Sequence, residues 1–166
     1  SIFHILAHAA TKSLLFVSAI GLTDVSAGSR NFFDLTGSAY RNKVAGVGFS
    51  VGAMSMVGIP LFSGFVSKLL FAEAAVMHPT HKMMPTLIVL AVSTILNAIY
   101  FLKTVVRIYV PEKREVEAEK GYFTMKAGQQ RLYTITIILF ILINLVLGMM
   151  SEPIIGIIET GLIHFI

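Results

Sequence analysis

Cysteine is absent from this sequence, which excludes disulfides and thiolate metal sites. Charge is scarce: only 13% of the 166 residues are Asp, Glu, Lys or Arg, against about 25% in a typical soluble domain. A chain with so little charge cannot present a polar surface to water on all sides. Carboxylates are scarcest where they would matter most, because none lies at the centre of an apolar segment. The first residues carry no basic stretch followed by a cleavage site, so no signal peptide is read there. The net charge of +4 does not point to nucleic acid, since the basic residues flank apolar runs instead of forming one stripe.

What the sequence has is apolar length. It is 55% hydrophobic, with a mean hydropathy of +0.80. A helix crossing the hydrocarbon core needs about 20 apolar residues. The runs near 2–22, 44–77, 84–110 and 132–151 meet that length. The expected fold is therefore all-α, a polytopic transmembrane helix bundle of about four membrane segments. A short apolar tail over 153–166 either lies at the interface or extends the last helix. Loop charges suggest the orientation. Arg30, Arg41 and Lys43 separate the first two segments, and Lys113, Arg114, Lys120, Lys126 and Arg131 separate the last two. The loop between the second and third segments has only Lys82, beside His78 and His81. The positive-inside rule puts the basic loops in the cytoplasm and the C-terminus outside. The mixed-charge stretch "PEKREVEAEKGYFTMKAGQQR" reads as a solvated loop.

The second segment is interrupted by Gly58, Pro60 and Gly64 in "MVGIPLFSGFVSK". Pro60 removes a backbone donor and disfavours helix at Ile59. Two half-helices joined by an unwound stretch would follow, as at transporter ion sites. On the interruption alone a simple proline kink, common in membrane helices, is the favoured reading.

Ionisable side chains mark the same region. His4, His8 and Lys12 follow at i, i+4 and i+8 in "HILAHAATKSLLF". On a helix they drift by only ~80° and so share a face. Lys12 falls near mid-segment, where a cation costs at least about 2.5 kcal/mol by insertion scales. Water, a partner or loss of the proton must offset that cost. Lysine and histidine that exchange protons with enclosed water form a path for H+. The histidine pair has no third metal ligand nearby in its helix, so no metal is assigned. Lys68 is the second deep cation, with snorkelling to the interface as its simpler explanation. Lys103 and Arg107 share a face near a helix end and read as snorkellers. Asn97 and Asn144 are expected to bond between helices.

The motif His4-x-x-x-His8-Ala-x-x-Lys12, followed by "GIPLFSGFVSK" and "LNAIYFLKTVVRIY", resembles the antiporter-like subunits. These are the proton-pumping membrane subunits of respiratory complex I, membrane-bound hydrogenases and Mrp-type Na+/H+ antiporters. The resemblance covers essentially the whole chain and implies a parent fold of about fourteen helices built on inverted repeats. This chain would then be a single membrane domain, a C-terminal fragment holding the last four membrane segments. The opening serine and the lack of acidic partners fit that expectation. The resemblance implies a proton relay of His4, His8, Lys12 and Lys68, with Gly58, Pro60 and Gly64 as the broken-helix hinge. In some relatives an acidic residue stands in place of Lys68.

The implied function is proton translocation within a respiratory NADH–quinone oxidoreductase or related energy-converting complex. The alternative is an Mrp-type Na+/H+ antiporter subunit without a redox partner, with Na+ as the alternative ion. Redox chemistry would belong to other membrane-complex subunits, so no cofactor is expected in this chain. The implied setting is the lipid bilayer of a bacterial or archaeal cell membrane.

Overall fold

The computed structural model describes residues 2–77, 81–111 and 127–163. Most of the mixed-charge loop, His78 and the last three residues lie outside that set. Among the described residues the chain is helical and has no strand. The helices are α1 (Ile2–Asp24), α2 (Ser38–Arg41), α3 (Lys43–Val57), α4 (Ser63–Met77), α5 (Met83–Tyr109), α6 (Ala127–Met149) and α7 (Ser151–Ile163). By length and composition α1, α5 and α6 can each cross a membrane. At 1.5 Å per residue α3 and α4 span about 22 Å each, too short to cross alone.

Together α3 and α4 run the length of α1, and their contacts with it show this. Asn42 Nδ2, at the start of α3, donates to Gly21 O near the end of α1 at 3.4 Å. The Ser55 and Thr11 hydroxyls meet at 3.0 Å. In α4, Ser67 Oγ is hydrogen-bonded to His4 Nδ1. Residue numbers rise along α3 and α4 as they fall along α1, so the pair runs antiparallel to nearly the whole of α1. α6 follows the same direction as α3 and α4: Tyr133 donates to Val17 O at 3.1 Å, and Asn144 meets Thr11. α5 runs back against α3, with Tyr109 on Tyr40 at 6.1 Å and Phe101 on Phe49 at 6.5 Å between ring centroids. The end of α1, the starts of α3 and α6 and the end of α5 therefore share one end of the bundle. That end carries Arg41, Lys43, Arg107 and Arg131.

Leu15, Leu22, Ala45, Phe49, Ala53 and Ile108 make an apolar cluster in the basic half. The opposite half buries the Thr11, Ser55 and Ser63 hydroxyls and the Asn144 amide beside Phe3, Ala7 and Phe62. Outer faces stay apolar: Val89 of α5 and Leu132 of α6 are each 67% exposed. Such faces suit lipid or neighbouring protein, since the backbone is satisfied inside each helix.

Three sequence expectations gain detail. The interruption is a break and not a kink, because Gly58 to Phe62 are non-helical. The tail forms a separate helix, α7, that starts just after Met150 and returns to touch α1 and α6. Lys103 and Arg107 do not simply reach for the headgroups. Both sit 5.7 Å from the Phe32 ring, and Arg107 lies 5.0 Å from Phe33. Cation–π attraction of this kind fastens the loop before α2 onto the end of α5.

Candidate proton site at the broken helix

The break starts as a helix stop written in "VGIP". Gly58 takes φ +90, a left-handed value that glycine adopts without a Cβ penalty. Its N–H reaches Met54 O at 3.1 Å and Ser55 O at 3.0 Å, and Ile59 N–H reaches Met54 O at 3.1 Å. Pro60 follows, which cannot continue the helix. Leu61 has φ +100, a strained value for a residue with a side chain. The chain then re-enters helix at Ser63.

A helix end leaves four carbonyls without intrahelical partners. The turn satisfies Met54 and Ser55, and Met56 and Val57 remain. Lys68 Nζ takes both, donating to Met56 O at 3.0 Å and to Val57 O at 2.8 Å. Thus Lys68 curls back from α4 onto the end of α3, where the helix dipole is negative and favours a cation. This geometry excludes interfacial snorkelling of Lys68 in this structure.

A cavity of about 210 Å³ opens beside Lys68. Its polar lining includes His4, His8, Ser67 and Asn97. Thr11 and Ser55 also reach its wall. The His4 and His8 rings stack at 5.4 Å, and Phe71 meets His4 edge-on at 5.0 Å. The cavity has both the room and the polar partners for more than one water. Among the described residues no group of three metal-ligating side chains forms around the pair. The structure therefore brings His4, His8 and Lys68 to one cavity. Lys12 is exposed on α1 and is not among the cavity's lining residues. The drift of ~80° along a helical i, i+4, i+8 series turns it away.

Sequence reasoning missed the meeting of three hydroxyls with Asn144 next to the cavity, which Thr11 and Ser55 line. Thr11 of α1, Ser55 of α3, Ser63 of α4 and Asn144 of α6 are all buried. Asn144 Oδ1 faces the Thr11, Ser63 and Ser55 hydroxyls at 2.7, 3.0 and 3.2 Å. Its amide nitrogen donates to Phe140 O at 3.0 Å. The expectation that Asn144 bonds between helices holds. Serine and threonine in a membrane helix also bond their own backbone, as Ser50 does to Gly46 O at 2.9 Å, so their type alone does not reveal such a meeting.

Known proteins match part of this sequence. The model of the family described as NADH:quinone oxidoreductase/Mrp antiporter, TM, matches residues 1–98. That stretch includes α1, the break and Lys68. Proteins named "Putative antiporter subunit mnhA2" from Staphylococcus aureus strains JH9, JH1 and COL are each 35% identical to this chain over 74 residues. The matched stretch is 45% of this chain and 9% of each relative's length. With its helical bundle, its interrupted crossing and a match over more than half its length, the chain belongs to the NADH:quinone oxidoreductase/Mrp antiporter membrane family.

Proposed function

We propose that this chain is part of a proton-translocating antiporter-like membrane subunit of a respiratory NADH–quinone oxidoreductase or related energy-converting complex. One observation carries the reading: the Lys68 ammonium rests on two carbonyls freed by a broken membrane helix, beside a cavity walled by two histidines. The α3 dipole holds the charged form of Lys68. Passing one proton to cavity water breaks an N–H bond and forms an O–H bond. It also removes the charge–dipole attraction, so the neutral amine is freer to turn toward the cavity. His8 and His4 take up and release the same proton through water. Lys12, on the outer face of α1, links this cavity to groups of the longer protein or of a neighbouring subunit. The redox reaction belongs to partner subunits, and the C-terminus faces outward.

A second reading has its own support. The curated relatives are named as antiporter subunits, which favours an Mrp-type Na+/H+ antiporter without a redox partner. Purification of the native complex separates the two, since iron–sulfur or flavin subunits accompany only the first. The relay itself is tested by Lys68→Met in the full-length protein. Loss of proton transport in an assembled complex supports it; wild-type transport ends it.

A further inference from the structure

The four buried groups around Asn144 do more than fill space. Their oxygens approach one another in all six pairs: the distances from Asn144 Oδ1 are 2.7, 3.0 and 3.2 Å. Thr11 to Ser55 is 3.0 Å, while Thr11 to Ser63 and Ser55 to Ser63 are each 3.4 Å. Each oxygen comes from a different helix. Ser55 lies just before the two carbonyls that hold Lys68, and Ser63 begins the half-helix that carries Lys68. The Ser55 hydroxyl also accepts from Gly64 N–H at 3.3 Å, which ties the two sides of the break directly. The three hydroxyls can also bond one another or the backbone, as Thr11 does to Ala7 O at 2.8 Å. Asn144 Oδ1 is the one acceptor without a proton of its own that all three reach.

We infer that Asn144 is a positioning residue for Lys68: its side-chain oxygen pins both sides of the break to α6, and through Thr11 to α1, and so fixes the carbonyl cradle that sequesters the lysine amine. Asn144 does not exchange protons and does not touch Lys68. It sets the span between the end of α3 and the start of α4. Replacing it with leucine keeps the approximate volume and removes the acceptor. The hydroxyls then keep only one another and the backbone. With no acceptor on α6 to hold Ser55 and Ser63 together, the cradle opens part of the time. The inference deepens the proton-relay reading, but its test does not use transport.

The experiment is site-resolved reductive methylation of the full-length protein in its native complex, with formaldehyde as the small amine probe and peptide mass spectrometry as the readout. Asn144→Leu is expected to raise Lys68 methylation about tenfold, with Lys12 and Lys103 unchanged. Ser63→Ala removes one donor and keeps the acceptor, and a rise of about threefold at Lys68 is expected. Ser63→Ala decides the matter if the leucine variant does not assemble. Unchanged Lys68 methylation in either assembled variant overturns the inference. An equal rise at all three lysines reports general loosening and overturns it too. If Lys68→Met leaves transport at the wild-type level, the relay reading fails while this positional claim stands or falls by methylation alone.

Discussion

Lys68 Nζ lies 2.8 Å from the carbonyl oxygen of Val57, across a break that separates their helices. The contact joins two roles that one side chain seldom combines. As a donor, Lys68 satisfies the last carbonyls of α3 and so supports the fold. As a titratable group beside a cavity that His4, His8, Ser67 and Asn97 also line, it can exchange a proton.

Two substitutions separate those roles. Lys68→Arg keeps a cation and several donors, but arginine does not release its proton at any working pH. Lys68→Met removes both functions. The expected outcome is that the arginine variant assembles with near-native thermal stability and transports at least about tenfold slower. The methionine variant is expected to lose transport and also to lose about 1–3 kcal/mol of stability. Transport by Lys68→Arg at the wild-type rate would show that titration of this side chain is not required.

Lys12 sits mid-helix and exposed, with no part in the cavity. A cation at that depth costs at least about 2.5 kcal/mol when it faces lipid. We propose that its face of α1 meets water or polar protein in the longer protein. Lys12→Ala in the longer protein is expected to leave the complex assembled and to abolish proton pumping, read as loss of ΔpH formation in inverted vesicles. Normal pumping by an assembled variant removes Lys12 from the relay.

Much of the site was legible from residue order. The helical pattern follows from spacing and length, and the same reading singled out His4, His8 and Lys68, which the structure brings to one cavity. The break was half legible. Glycine followed closely by proline is a stop signal when the glycine can adopt positive φ, as Gly58 does; read only as proline, it looks like a kink. The direction of Lys68 was not legible. It depends on which carbonyls the turn leaves unsatisfied, and that accounting needs the actual hydrogen bonds. The node at Asn144 was hidden for another reason. Thr11, Ser55, Ser63 and Asn144 are far apart in sequence, and each alone is an ordinary small polar residue in a membrane helix. The position of Lys12 outside the cavity was not legible: ~80° of drift reads as one shared face, and which side of that arc faces the bundle depends on packing.

His8 offers a graded test. It lines the cavity and stacks on His4. His8→Ala enlarges a cavity that already has polar walls, so water can occupy the vacated space. A smaller loss of transport than that of Lys12→Ala is expected, within about tenfold of wild type. Elemental analysis provides the check on the other use of paired histidines: a metal lost from the variant and present in the parent would replace the relay by a metal site.

The close approach of the two half-helices predicts a sharp contrast among glycines. A Cβ built on Gly64 would overlap the backbone carbonyl of Ser55. Backbone cannot yield as a flexible side chain does, so the half-helices would have to separate. Gly156 in α7 has nothing within 4 Å of such a Cβ. Both positions are helical, so the intrinsic preference of a helix for alanine over glycine, about 1 kcal/mol, applies to each. At Gly156 that preference acts alone, and Gly156→Ala is expected to be neutral or slightly stabilising. At Gly64 overpacking of about 1–3 kcal/mol opposes it. The same shift would lengthen the span from Lys68 to the Met56 and Val57 carbonyls. Gly64→Ala is therefore expected to lower the melting temperature of the detergent-solubilised complex and to raise Lys68 methylation, while Gly156→Ala does neither. Equal melting temperatures for the two variants would mean that the half-helices are not held as closely as Gly64 and Ser55 indicate.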